Sequence, residues 1–135
     1  MATYDDVARL ALALPGTHES VSRGWRVWSV GERMFVWERP FTKADLRRFG
    51  DDPVPSGPIL AAAVDDLVEK DVVLAAEPAS HFTIPHLDGY AAVLVRLDAV
   101  DAATLARTVE DAWFARAPRR LAEAQRLLSE DPEET

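Results

Sequence analysis

The chain has 135 residues, 48% of them hydrophobic and 28% charged, with nine Pro and six Gly, the size and mixture of one globular domain. At this length folding buries roughly two thirds of the unfolded chain's surface, so one core suffices without disulfide or metal. With no cysteine, disulfide frameworks, thiol nucleophiles, cysteine zinc sites and iron–sulfur clusters are excluded together. The opening residues, Met1 to Asp6, carry no basic region before an apolar stretch, and no apolar run approaches the length of a membrane span. The expectation is a cytoplasmic, monomeric protein that does not engage membranes.

The formal charge of −8 argues against general binding to nucleic acid or anionic lipid, but it is unevenly spread. Residues 1–58 hold eight basic and eight acidic side chains, and residues 59–135 hold seven and fifteen. Between positions 23 and 48, seven cations stand against Glu32, Glu38 and Asp45. An anionic partner is therefore expected at that segment.

In chain order, Thr3 and Asp6 form a capping signal, and Val7, Leu10, Ala11 and Leu14 recur at helical spacing, which predicts a helix over 4–14. Residues 17–24 read as a polar loop. Trp25–Val30 and Arg33–Glu38 are rich in strand formers and flank Gly31-Glu32, the pattern of a type II′ hairpin. A regular register then pairs Val30 with Arg33, Ser29 with Met34, Trp28 with Phe35, Val27 with Val36, Arg26 with Trp37 and Trp25 with Glu38. Large apolar groups fall on both faces of this hairpin.

Residues 40–58 are punctuated by Pro and Gly and read as irregular and mobile, apart from a helical turn near 43–49. A strand at 59–64 follows, then a helix capped by Asp65-Asp66 with Leu67, Val68, Val72 and Ala75 as its apolar positions, stopped by Pro78. An extended piece at 82–84, turn residues 85–89 and a strong strand at 91–97 come next. Asp101 caps a helix over 102–115 with an apolar stripe of Leu105, Val109, Ala112 and Trp113. Pro118 opens a last helix through 128 with Leu121, Ala124 and Leu128 facing inward, and residues 129–135 read as an acidic, disordered tail. The order predicts an α+β fold: one domain over 1–128, a mainly antiparallel sheet of about five strands, packed by the first and last helices.

Several stretches in this order resemble the MmcQ/YjbR-like family of small bacterial proteins. They are Leu12–Thr17, Val30–Phe35, Phe82–Tyr90, Val93–Leu97, Ala112-Trp113 and Ala117–Arg120. The resemblance implies a compact α+β fold whose sheet contributes two wing-like hairpins, and such proteins are commonly labelled DNA-binding. It supplies no catalytic residues. Members often carry Lys in the hairpin turn and on the final helix, where this chain has Glu32 and Arg119.

Among candidate sites, Arg26, Arg33, Arg39, Lys43, Arg47 and Arg48 interleave with Trp25, Trp28, Phe35 and Trp37. Cations on a β-ribbon can follow phosphates while aromatics stack on bases, although Arg stems packed over core Trp would give the same pattern. DNA is therefore the nominal partner. The competing reading is a small-ligand-binding protein or enzyme with a pocket near His86, Tyr90 and Arg96, and an anion site could add Arg116 and Arg120, four apart on one helix face. His81, His86 and Asp88 supply metal-ligand types, but residues five apart in an extended segment point to opposite faces, so His81 and His86 converge only if the Pro85 turn folds them together. Ser80-His81 and His18-Glu19-Ser20 offer nucleophile and base types without a shared geometry, and no Gly-rich phosphate loop, G-x-S-x-G or H-E-x-x-H occurs. The expectation is a non-catalytic binding or regulatory domain with no metal or organic cofactor.

Overall fold

A computed structural model describes residues 1–130. Helix α1 spans Tyr4–Leu12, begun by a reciprocal Thr3–Asp6 capping box. It stops two residues earlier than the periodicity suggests, because the Thr17 hydroxyl donates to the carbonyls of Ala11 and Leu14 and turns the chain. Residues Thr17–Ser22, expected as a loop, form strand β1, paired antiparallel with β2 (Trp25–Val30). Its polar sequence hides a strand because β1 is a sheet edge with most side chains in water. Arg23 and Gly24, both at positive φ, make the tight turn between them.

Strand β3 (Arg33–Glu38) returns through Gly31, whose φ of 59° suits the expected turn. Val30–Arg33 and Ser29–Met34 pair as the regular register requires; the ladder then shifts at Trp28/Ser29, so that Trp28 faces Val36 and Val27 faces Trp37. Phe35 is the extra residue. A β-bulge places Phe35 and Val36 both in the main core, where strict alternation would have turned one of them away. After α2 (Lys43–Phe49) come β4 (Ile59–Ala63), α3 (Leu67–Ala76), β5 (His81–Phe82), a 3₁₀ turn at Pro85–Leu87 and β6 (Ala92–Arg96). Helices α4 (Ala102–Arg116) and α5 (Arg119–Glu130) complete the described chain.

The sheet has six strands in the order β1-β2-β3-β4-β6-β5, with every pairing antiparallel. One face is covered by α1 and α4, with Val7, Trp28, Phe35, Leu60, Val95, Leu105 and Trp113 in a continuous core. The penultimate helix, rather than the last, lies across β3 and β4. Trp113 buries its ring there and donates its indole N–H to the Pro15 carbonyl. The opposite face carries a second, smaller core of Ile59, Ala61, Ile84, Leu87 and Leu94, flanked by Trp37, Phe41, Phe49 and Phe82. Within the 40–58 segment, Phe41 and Phe49 pack on this face, while 50–57 is irregular and largely exposed. Tyr4 ties the layers together, its hydroxyl donating to the Ile59 carbonyl and accepting from the Ile59 N–H; burial, then Glu38, pushes its pKa to about 12.

Two helices face differently from their sequence pattern. On α3 the side chains of Leu67, Val68, Val72 and Ala75 are exposed, and Val73 and Leu74 reach the core instead. On α5 Ala122 is buried while Ala124 and Leu128 are exposed, with Leu121 half-buried against the core. Ser129 and Glu130 continue α5, and the remainder of the expected tail, 131–135, lies outside the described residues. Among the described residues no helix is long and apolar enough to cross a membrane.

Gly16 holds φ at 71°, and a Cβ there would sit 2.9 Å from Leu121 Cδ2. Gly16→Ala should lower the unfolding free energy by about 1–2 kcal/mol in urea titration, mostly from the left-handed backbone. Because the clashing atom is the end of a flexible side chain, adding Leu121→Ala should recover little of it; full recovery would place the cost in the contact instead.

Candidate functional site

The hairpin cations do not form one free surface. Arg26 lies on the helix-bearing side of β2, where Nε donates to Glu19 at 3.0 Å and Nη1 donates to Asp5 at 2.9 Å. Its guanidinium sits 5.2 Å from the Trp28 ring, and Glu19 also accepts the Trp28 indole N–H. Hydrogen bonding from Arg26 holds the Glu19 carboxyl below its ordinary pKa. This network fastens β1 and β2 to α1 and leaves Arg26 little charge to offer a ligand.

Arg39 is buried. Its Nη1 donates to Asp45 at 2.9 Å and to the Pro40 carbonyl, and Asp45 in turn receives the Thr42 N–H and closes the α2 capping box. Burial alone would raise the Asp45 pKa, but the Thr42 N–H and the Arg39 guanidinium outweigh it and hold the carboxyl low. Arg48 approaches the other Asp45 oxygen at 3.8 Å. Arg33, Lys43 and Arg47 remain exposed and, among the described residues, without an ion pair. Arg33 pairs with Val30 and so points to the helix-bearing side, whereas α2 carries Lys43 and Arg47 over the opposite face.

His86, Tyr90 and Arg96 do not converge. His86 sits exposed on the 3₁₀ turn, Tyr90 precedes β6 and Arg96 ends it, so the last two are separated by roughly 20 Å of extended chain. Arg116 and Arg120 do not share a helix face, because α4 ends at Arg116 and α5 begins at Arg119; Arg116 donates to the Ala91 carbonyl, and Arg120 stands beside Leu121 and Ala124. Arg96 faces Asp98 at 3.6 Å. His81 is separated from His86 by burial: its Nδ1 meets Ser80 Oγ at 2.8 Å and its Nε2 meets Thr108 Oγ1 at 2.9 Å, which joins β5 to α4 and occupies both ring nitrogens. No group of three His, Asp or Glu side chains among the described residues is placed to hold a metal ion.

Lys70 is the polar residue that the sequence pattern conceals. It lies buried on α3 and its Nζ donates to the carbonyls of Leu87 and Tyr90, at 2.7 and 2.9 Å, pinning the 3₁₀ turn and the approach to β6. Burial lowers its pKa, partly offset by Asp88. A signal was present in composition: the chain uses Arg thirteen times and Lys twice, and a compact ammonium fits two converging carbonyls where a planar guanidinium does not.

Open concavities lie beside some of these residues. A cavity of about 210 Å³ separates α2 from the 83–85 segment, with Asp45, Arg48 and Asp52 above Phe49 and Ile84. Between α3 and α4 runs a longer cleft in two parts of about 320 and 160 Å³, which share Glu69, Val73 and Asp111. Asp65, Phe114 and Arg126 close one end; Glu77, Arg107 and His81 form the other.

Two results should follow. Asp45→Ala strands the buried Arg39 and should cost about 3–5 kcal/mol in urea unfolding, while Arg39→Met with Asp45→Leu should restore most of it. For His81, burial depresses the native pKa against opposing and reinforcing fields from Glu77 and Arg107, respectively. Its stabilisation is then full above the unfolded imidazole value of 6.5 and is lost as pH falls from there through the native value. A His81→Gln variant should be less stable at neutral pH yet lose less stability between pH 7 and 5 in parallel denaturation series. Equal slopes would remove the histidine from the acid response.

The YjbR family model matches residues 12–115. Uncharacterised proteins of Mycobacterium tuberculosis and Mycobacterium bovis are each 44% identical over 127 residues, covering 92% of this chain and 95% of theirs. A crystal structure of a Deinococcus radiodurans protein with a DUF419 domain superposes with a TM-score of 0.63 at 24% identity, over 98% of this chain and 91% of that one. At that identity the likeness concerns the fold.

Proposed function

The chain belongs to the YjbR family, and on that premise we propose that it is a non-catalytic binding domain. The observation that carries the proposal is where the reactive side chains are spent. His81 commits both ring nitrogens to Ser80 and Thr108, Lys70 donates to two carbonyls, and Arg39 and Asp45 satisfy each other in the interior. His86 is exposed but stands apart from Tyr90 and Arg96, and surface charge and exposed apolar side chains are there for a partner.

Nucleic acid is the partner implied by the family resemblance, and Arg33, Lys43 and Arg47 would carry it. Three phosphate contacts, split between two faces of the sheet, give modest affinity with a logarithmic salt slope no steeper than about −3. Electrophoretic mobility shifts of duplex DNA across a salt series test this. Replacing Arg33, Lys43 and Arg47 together by Ala should weaken binding to all sequences alike and flatten the slope. An unchanged triple variant would remove these residues from the contact, and no shift by the wild type at low salt would remove nucleic acid as the ligand.

A further inference from the structure

Helix α3 covers the core with its Val73–Leu74 side, and the apolar residues next to that side face water: Leu67 is 48% exposed, Val68 74% and Val72 54%. Val68 and Val72 are four apart, hence stacked on one face, and Val72 borders the cleft against α4. Exposed apolar residues scattered singly are ordinary, but Val68 and Val72 make a small stacked patch that meets the open cleft at Val72, with Leu67 on another side of the helix.

The cleft beside this patch carries unmet negative charge. Of its acidic residues Glu77 meets Arg107 at 3.7 Å, and of its cations Arg126 stands 5.0 Å over the Phe114 ring. Asp65, Glu69 and Asp111 have no ion pair among the described residues. Loss of solvent against α3, followed by repulsion from Glu110, Glu69 and Asp65, lifts the Asp111 pKa, and Arg107 offsets only part of this. A cation brought to this position from outside would relieve that repulsion.

We propose that the α3–α4 cleft docks a basic amphipathic helix of a partner protein, its Lys or Arg side chains over Glu69 and Asp111 and its apolar face on Val68 and Val72. The two features select this occupant together. A small metal cation would leave the valines uncovered, and the carboxylates do not converge as a ligand set. Anionic lipid is repelled by the acidic wall. A second copy could offer α2, with Lys43, Leu46 and Arg47 exposed, or α5, with Arg119, Arg120, Leu127 and Leu128 exposed, but two chains each of charge −8 repel one another. A helix laid between two helices places its apolar positions every three to four residues, which matches the α3 stripe.

The inference rests on reading the chain as a binding domain and is independent of nucleic acid as a ligand, so a failed mobility shift leaves it standing. Its test is fluorescence anisotropy of the full chain with a labelled Lys/Leu amphipathic helical peptide of about 15 residues, alongside a scrambled isomer without an apolar face. The amphipathic peptide should bind and the scrambled one should not. Glu69→Gln with Asp111→Asn should weaken binding about tenfold and reduce its salt dependence. Val68→Ser with Val72→Ser, at exposed positions that the fold does not need, should weaken it by a similar factor, and Arg33→Ala should leave it unchanged. Equal binding of both peptides, wild-type affinity in the valine variant, or no binding of the amphipathic peptide would overturn the proposal. So would sedimentation showing wild-type self-association that the Glu69/Asp111 variant abolishes, since a second copy would then fill the cleft.

Discussion

Strand β4 must be dry on both faces, and the architecture is the means of keeping it so. All five residues from Ile59 to Ala63 are buried, with Leu60 and Ala62 turned to the helices and Ile59 and Ala61 to the other side. One face is served by α1 and α4, which the chain supplies as regular amphipathic helices. The other is served by residues 39–49 and the 84–87 turn, short pieces that buried side chains hold against the sheet. The buried Arg39–Asp45 pair secures the first of these covers and Lys70 the second. Each is a charge taken out of water only because its partners are complete.

That requirement decides what could be read from the amino acids alone. Helix α4 was legible because its stripe of Leu105, Val109, Ala112 and Trp113 faces a single large core. The hairpin turn and its first two cross-strand pairs were legible from Gly31-Glu32 between two runs of strand formers. The register beyond Ser29 was not, since a bulge at Phe35 is settled by the three-dimensional need for two consecutive inward side chains and leaves no mark at that position. Strand β1 was hidden by its polarity. Helix α3 misled because its strongest apolar residues lie toward solvent while smaller demands, at Val73, Leu74 and Lys70, set its orientation.

Charge behaved likewise. A count over 23–48 gives an excess of cations, yet counting cannot see that Arg26 faces Glu19 and Asp5, the latter far away in sequence, or that Arg39 is interior. The candidate set of six thereby reduces to Arg33, Lys43 and Arg47 as free surface charges. In the acidic half the fold gathers part of the surplus along one cleft.

The chain has only two lysines, and the fold sets them at opposite extremes, Lys43 in water and Lys70 sealed behind two carbonyls. An amine-acylating reagent will therefore mark Lys43 and the N-terminus at once and reach Lys70 only when the 84–90 segment lifts away. The rate of that second acylation is a direct clock for local opening of one face of the sheet, readable by mass alone and without any introduced label.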